Sequence, residues 1–444
     1  MAIPLVALLP CSTCASVHLL QPNGWLELRI APSNHGTSAC RHRADAHNLL
    51  RQLLSGARQA KSGDVKGVLL TIEPGSTFST AGDVNELVKA LSYGPAVVRD
   101  YLQTECALAA QLHDLAQTKP VVALADGVLT GTSAAFFLAA SQRVSTAATV
   151  LSVPGCVIGV CPGGGLLDLC SSGVAMPPGL GLLTLLTGGR ISAGHAAEGS
   201  APAPVQVATH TCATEEALWQ LRGRLLSEQP EFHEATISGL ARGQAGAMVD
   251  GVNTYAVAAV ERVVSNTHVL RNDAAARIDA IQESLKEEAA AAAACDVEAA
   301  AWLREQSEAL ERGCPAAQIV TYAALRRAAL SRQLAYACID GSAPTSTAAG
   351  TRCECATSMR RRSLGMELAA NTVLASRADF IEGTSCAIGL RCGSTPVWQH
   401  ASRQEAAADP QVTELVACVL GALPFVPEVE RAGARPHLDT VSRT

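Results

Sequence analysis

One stretch of the chain, SVPGCVIGVCPGGGLLDLC at residues 152–170, combines residue types that suit an active-site loop. Its two Pro-Gly pairs predict tight turns, and its glycine triplet would let a ligand approach the backbone closely. Cys156 and Cys161 supply thiols, which are nucleophiles only as thiolates. The one acid, Asp168, comes late in the stretch, and the stretch holds no histidine. The loop therefore resembles a site that has few groups able to move a proton.

A reaction based on a cysteine needs a neighbouring base or a lowered thiol pKa. The candidate bases are His195 and His210, which lie downstream of the loop. Nothing in the sequence places either histidine beside Cys156 or Cys161. We therefore expect the two cysteines to be small apolar fillers, with cysteine-based catalysis as the alternative.

The composition predicts a large folded chain with a core of small aliphatic residues. Of 444 residues, 48% are hydrophobic, 17% are charged and only 3% are aromatic. The formal net charge of −6 excludes a basic field over a whole domain that would hold nucleic acid. The compact basic run Arg360, Arg361 and Arg362 is the place where a local RNA contact is expected, with a solvated loop as the alternative.

The 16 cysteines are scattered and have no disulfide-framework spacing, so most are expected to be reduced and buried. Cys11 and Cys14 form a CxxC, and Cys353 and Cys355 a CxC, without a second pair at zinc spacing, so no metal is expected. No apolar run reaches the length of a membrane span, so no membrane partner is expected. The N-terminal MAIPLVALLP has no preceding Lys or Arg, unlike a signal peptide.

Strand and helix patterns alternate through the first two hundred residues, which predicts an α/β layered fold. The strand patterns are GWLELRIAP (24–32), KGVLLTI (66–72), KPVVALADG (119–127) and RVSTAATVLSVPG (143–155), and the helical ones are 44–60, 97–117 and 130–141. After residue 205 helical patterns dominate, at 214–227, 234–243, 255–265, 272–311, 315–337 and 364–376. The Ser/Thr/Ala-rich segment 339–363 is expected to be a polar loop.

These patterns divide the chain into four parts. We expect an N-terminal extension (1–23), an α/β core (24–205), a helical C-terminal region (206–430) with insertions near 276–311 and 339–363, and a tail (431–444).

An ordered set of motifs resembles the crotonase, or enoyl-CoA hydratase/isomerase, superfamily. The set is FSTAGD (78–83), KPVVALADGVLTG (119–131), RVSTAATVLSVPG (143–155), VIGVCPGGG (157–165) and LLTGGRISA (185–193). In the second half, GCPAAQIVTYAALRRA (313–328), LGMELAANTVLASRADFIEG (364–383) and TPVW (395–398) resemble the 3-hydroxyisobutyryl-CoA hydrolase branch. The similarity runs from about Gly24 to about Leu420. It implies an α/β fold, a crotonase-type ββα spiral core with a helical C-terminal region.

The resemblance assigns two backbone N–H groups to the thioester oxygen, on which negative charge develops during the reaction. The first donor maps to Gly82 in STAGD, for which a turn glycine is the alternative. The second maps to Thr132, where relatives have a glycine. Its N–H is retained, but a β-branched side chain is bulky and stiff where the pantetheine should pass.

The resemblance also implies two acids in the 152–170 loop, and both are missing. The glutamate that follows the first Pro of the loop in the hydrolase branch is replaced by Gly155, and the acid that follows the second Pro by Gly163. The arginine that the branch has after DFxEG is replaced by Ser385 or Cys386. General acid–base groups contribute about 10²–10⁴-fold each, so the resemblance predicts almost no turnover.

Three hypotheses follow. The first is a non-catalytic subunit of a mitochondrial assembly, most plausibly the small subunit of the mitochondrial ribosome, with protein partners and ribosomal RNA nearby and no cofactor. Its mitochondrial location rests on the resemblance alone. The second is an active acyl-CoA thioester hydrolase or hydratase with relocated groups, such as Asp83 or Glu198, and a CoA thioester as ligand. The third is a sensor that binds CoA esters without reacting. Self-association is left open.

Overall fold

A computed structural model describes residues 13–18, 22–32, 46–72, 84–173, 175–192, 205, 207–243, 254–267, 272–340, 348–387, 391 and 393–427. Ten strands lie within these ranges. They are β1 (Thr13–His18), β2 (Trp25–Pro32), β3 (Gly67–Ile72), β4 (Val121–Ala125), β5 (Val128–Thr130), β6 (Gln142–Thr146), β7 (Val150–Ser152), β8 (Ile191–Ser192), β9 (His210–Cys212) and β10 (Arg242–Gly243).

The same ranges hold sixteen α-helices. In the first half these are α1 (Ala46–Gln59), α2 (Val84–Ser92), α3 (Pro95–Ala116), α4 (Thr132–Ala139), α5 (Leu166–Ser171), α6 (Pro178–Thr187), α7 (Glu215–Ser227) and α8 (His233–Leu240). In the second half they are α9 (Thr254–Asn266), α10 (Ala274–Ala292), α11 (Val297–Arg312), α12 (Pro315–Asp340), α13 (Ala348–Leu374), α14 (Ala378–Ala387), α15 (Arg403–Ala408) and α16 (Pro410–Leu420).

The main sheet has seven strands in the order β1-β2-β3-β4-β6-β9-β10. Neighbours from β2 to β9 pair in parallel, and the two edge strands β1 and β10 pair antiparallel. A second sheet of three strands has the order β5-β7-β8. The predicted α/β class with a helical C-terminal region is confirmed.

Side chains of the main sheet alternate between two cores, as the two-residue period of a strand requires. Leu26 and Leu28 of β2 lie in the larger core, together with residues of α1 and α3. Trp25 and Leu69 point to the opposite face and lie in a smaller core with Leu221 of α7. Both faces of the parallel strands are therefore covered, which explains their continuous apolar sequences.

The pattern at residues 143–155 forms two short strands in different sheets instead of one strand. A turn in which Thr149 donates its N–H to the Thr146 carbonyl (3.2 Å) separates β6 from β7. This turn transfers the chain to the second sheet and directs the end of β7 toward the start of α4. Apolar patterning alone did not indicate the turn, because its residues are small and neutral.

The C-terminal region differs from the sequence prediction at three places. The pattern at 234–243 is helical only up to Leu240, and Arg242–Gly243 form β10. The pattern at 272–311 is two helices, because Asp296 caps the start of α11 by accepting a hydrogen bond from the N–H of Ala299 (2.9 Å). The segment 339–363, expected to be a loop, is helical up to Asp340 and again from Ala348. Alanine favours helix in this second segment, and ion pairs of Arg360 and Arg361 attach it to the core.

Candidate active site

The loop at residues 153–165 connects β7 to α5, and the start of α4 lies beside it. Gly131, with φ of 55°, immediately precedes α4, and its N–H donates to the carbonyl of Ser152 at 3.0 Å. This bond connects the end of β7 to the first residue of α4, Thr132. A helix leaves its first N–H groups without intrahelical partners, so Thr132 has the backbone position expected of an oxyanion donor.

Backbone atoms of neighbouring loop residues occupy the place where a side chain on Gly155 would begin. Gly155 starts a 3-10 turn, Gly155–Val157, that folds back on the loop. A Cβ atom on Gly155 would lie 2.9 Å from the nitrogen of Pro162 and 3.1 Å from the oxygen of Val160. Those atoms can move only if the loop itself moves. The loop backbone therefore occupies the space that a side chain at residue 155 would need.

A carboxyl group from helix α3 lies beside Gly163. A Cβ atom on Gly163 would lie 2.7 Å from Oε1 of Glu105, a residue of α3. The Thr132 side chain lies close enough to the same carboxyl group to lower its pKa. Both side chains are buried, with 7% of Glu105 and 4% of Thr132 exposed. The two positions assigned by resemblance, Thr132 and Gly163, thus meet at Glu105.

Burial raises the pKa of Glu105 to about 7, and the Thr132 side chain opposes part of that rise. A carboxyl group that titrates near neutral pH is suited to proton transfer if a substrate can reach it. Glu105 is therefore a candidate acid–base group that the sequence analysis did not identify.

A second buried carboxyl group holds the loop from the other side. Glu367 of α13 accepts hydrogen bonds from the N–H groups of Gly165 (2.6 Å) and Leu167 (2.9 Å). One turn later, Asn371 accepts a hydrogen bond from the N–H of Cys161 at 2.9 Å. Burial, followed by the charges of Glu105 and Asp168, raises the pKa of Glu367 to about 8 despite these bonds. Because both oxygens bind backbone N–H groups, Glu367 fixes the loop in place.

The two loop cysteines are buried thiols with raised pKa values. Burial raises the pKa of Cys156 to about 12 and that of Cys161 well above its usual range. The thiol of Cys156 donates to the hydroxyl of Thr321 at 3.4 Å. His210 lies on β9, where its Nδ1 is 3.0 Å from the hydroxyl of Thr209. Protonated thiols are poor nucleophiles, so this environment suits the predicted role as small fillers.

Asp168, the acid of the loop sequence, belongs to a buried ion pair. Nε of Arg360 donates to Oδ2 of Asp168 at 2.9 Å, and the guanidinium also contacts Nδ1 of His113. Burial and the charge of Arg360 lower the pKa of His113 to about 3, so this histidine is neutral. Arg361 pairs with Asp114 at 3.0 Å. Arg360 therefore binds inside the protein, and a contact between this run and RNA stays a prediction.

Several other predicted residues lie outside the described part of the chain. They are the first oxyanion candidate and the suggested substitute groups: Gly82, Asp83, His195 and Glu198. Ser385 and Cys386, at the position of the missing arginine, lie on α14, where Nη2 of Arg391 is 3.2 Å from the sulfur of Cys386.

Within the described ranges, no three His, Cys, Asp or Glu side chains cluster as a metal site. No helix there has the length and apolar character of a membrane span.

Glu105 and Glu367 do leave a signal in the sequence. Glu105 falls on the buried face of α3, in helical register with Tyr101 and Leu108. Glu367 likewise follows Leu364 and precedes Ala370 on a buried stripe. A glutamate on an apolar stripe is rarely buried unless it has a partner, and this exception could have indicated both sites.

A model of the enoyl-CoA hydratase/isomerase family matches residues 45–415. The fold is similar to that of a carnitinyl-CoA dehydratase from Mycobacterium thermoresistibile (18% identity, TM-score 0.61, 95% of this chain and 99% of that one). It is also similar to an enoyl-CoA hydratase from Rhodobacter sphaeroides 2.4.1 (20% identity, TM-score 0.57, 92% and 97%). A comparison with curated protein sequences gave no match. Because the family model spans residues 45–415, which is most of the chain, the protein belongs to the enoyl-CoA hydratase/isomerase family, within the crotonase superfamily.

Proposed function

We propose that this protein is a non-catalytic member of the family, related to the 3-hydroxyisobutyryl-CoA hydrolases. The observation that carries the proposal is the packing of Gly155, whose Cβ position is 2.9 Å from the backbone nitrogen of Pro162. The resemblance places a catalytic glutamate here. An acid that had merely been substituted would leave space behind it, whereas this loop has filled the space with backbone. This packing supports the proposal that the loop has no place for that acid.

The remaining groups of the loop support the same proposal. Gly163 carries no side chain, the thiols of Cys156 and Cys161 are protonated, and Asp168 is paired with Arg360. Losing two acid–base groups costs about 10²–10⁴-fold each. An oxyanion hole alone provides roughly 10³-fold over water in a template case, so turnover should be close to background.

The setting that we propose is a large mitochondrial assembly, most plausibly the small subunit of the mitochondrial ribosome. The support is the resemblance of residues 313–398 to the hydrolase branch, together with a scaffold that keeps its fold without the acids. A chain of net charge −6 would join such a particle mainly through protein contacts. Arg362 and the surface of the α10–α11 hairpin are the places where partner contacts are proposed.

Native co-purification tests this setting. The protein, tagged at its C-terminus, is expressed in its own cells, recovered under native conditions and analysed by mass spectrometry of the complex. We expect the proteins and RNA of a ribosomal small subunit in stoichiometric amounts. Recovery of a free trimer or hexamer without other subunits would contradict the proposal.

A second candidate function is an active CoA-thioester hydrolase or hydratase with a relocated acid. The observation that favours it is Glu105, whose pKa is near 7 and whose carboxyl group lies close to the Thr132 side chain at the oxyanion position. In that case Glu105 would move the proton that Gly163 cannot.

Turnover of 3-hydroxyisobutyryl-CoA and crotonyl-CoA by the wild type and Glu105→Gln separates the two candidates. Gln keeps the size and the acceptor oxygen of Glu105 but cannot titrate. The second candidate requires wild-type turnover that falls by about 10²–10⁴-fold in the variant. The first requires no enzymatic turnover from either protein.

A further inference from the structure

The space between the start of α4 and the turn at residues 162–165 is filled by two side chains of the protein itself. Cγ2 of Thr132 and Oε1 of Glu105 would each lie 3.6 Å from a Cβ atom on Gly164. Oε1 of Glu105 would also lie 2.7 Å from a Cβ atom on Gly163. The two side chains thus cover both glycines. We call Thr132 and Glu105 the closing pair.

The closing pair is held by contacts on several sides. Thr132 is β-branched and stiff about χ1, and its side chain lies close to the Glu105 carboxyl group. The next helical residue facing the turn, Ala135, is fully buried, and its Cβ would be 2.8 Å from a Cβ on Gly164. The turn cannot retreat easily, because Glu367 binds the N–H of Gly165. Neither wall can therefore move without disturbing a buried contact.

The motif resemblance assigns the thioester oxygen of a CoA ester to the N–H of residue 132. A ligand there would have to displace the Thr132 side chain and disturb its contact with the buried carboxyl group of Glu105. Disturbing a buried polar contact is costly, so ligand binding and the closing pair compete for the same space.

We propose that the closing pair Thr132–Glu105 shuts the acyl-thioester site of this protein from within, so that the wild type does not bind CoA esters. The inference rests on the proposed loss of catalysis and adds its structural cause. It also excludes the sensor hypothesis, because a sensor needs an open site.

The test is equilibrium binding of butyryl-CoA, measured by isothermal titration calorimetry, to the wild type and three variants. Thr132→Gly removes the whole side chain. Thr132→Ala removes Cγ2 and the hydroxyl but keeps good helix propensity, in case the glycine variant folds poorly. Thr132→Val is the matched control, since it keeps the bulk and loses only the hydroxyl. We expect no binding by the wild type or Thr132→Val, and at least 10-fold tighter binding by Thr132→Gly or Thr132→Ala.

Two results would overturn the inference. One is wild-type binding as tight as that of Thr132→Gly. The other is no gain from the glycine and alanine variants although circular dichroism shows them folded. Neither result depends on turnover. Wild-type turnover would instead contradict the proposed loss of catalysis, so the two failures are distinguishable.

Discussion

At the scale of single residues, the two glycines of the loop are not equivalent. Gly155 lies against backbone atoms of Pro162 and Val160, which move only with the loop. Gly163 lies against the carboxyl end of Glu105, which can adjust without movement of the loop backbone but would then disturb its contact with Thr132. The proposed replacement of an acid by glycine would therefore involve the loop backbone at residue 155 but only one neighbouring side chain at residue 163. Returning a glutamate to residue 155 would require a different loop conformation.

A matched pair of alanine substitutions tests this difference. We expect Gly155→Ala to lower the free energy of unfolding by about 1–3 kcal/mol, the usual cost of forcing atoms into a packed region. We expect Gly163→Ala to cost clearly less, because Oε1 of Glu105 can shift. Urea unfolding of both variants gives the comparison, and equal losses would contradict the packing described for the two glycines.

The candidate site was partly predictable at this scale. The motifs located the loop, Thr132 and both glycines, since these depend on local sequence. Glu105 lies about 50 residues before the loop, and Glu367 lies about 200 residues after it. A local pattern carries no information about such contacts. The burial of a glutamate on an apolar helical stripe was the available clue.

At the scale of elements, α13 is the connection between the C-terminal region and the site. It holds the loop through Glu367 and Asn371, and it reaches α5 and α3 through Arg360 and Arg361. The strands and most helices followed from apolar periodicity. The start of α13 did not, because its Ser/Thr/Ala-rich sequence is typical of a loop. The ion pairs of Arg360 and Arg361 attach this helix to the core.

Substitutions of Arg360 and Arg362 test whether each arginine stabilises the fold or is available to bind a partner. Arg360→Ala removes the guanidinium group that pairs with Asp168, whose side chain is 6% exposed. Breaking such a pair costs about 3–5 kcal/mol, so urea unfolding should show a loss of this size. The control Arg362→Ala should change stability by less than about 1 kcal/mol. Similar small losses in both variants would contradict the buried role of Arg360.

At the scale of the whole molecule, the fold was the most predictable property, because strand and helix periods repeat over hundreds of residues. The buried ionisable groups give the molecule an unusual pH dependence. The pKa values of Glu105 and Glu367 are raised to about 7 and 8, whereas that of His113 is lowered to about 3. The histidine lowers stability only below its unfolded pKa of about 6.5.

Between pH 6.5 and 8 the ionisation of Glu105 and Glu367 determines whether the free energy of unfolding rises or falls with pH. The unfolded state has already released these protons, and the folded state must release them from buried positions, so stability falls as pH rises. We expect a loss on the order of 2 kcal/mol over this range. Urea unfolding in reducing buffer should show a smaller slope for Glu105→Gln and for Glu367→Gln, but not for the surface control Glu308→Gln. A wild-type stability that rises with pH would contradict the raised pKa values.

The central claim is that this member of the family has lost its catalysis. The most direct measurement is release of free CoA from a high concentration of 3-hydroxyisobutyryl-CoA by the purified wild-type protein, followed by chromatography so that the exposed thiols of Cys295 and Cys418 do not contribute. We expect a rate equal to that of a protein-free sample, and the same rate for Glu105→Gln. Wild-type release several hundred-fold above that background, lost in Glu105→Gln, would contradict it.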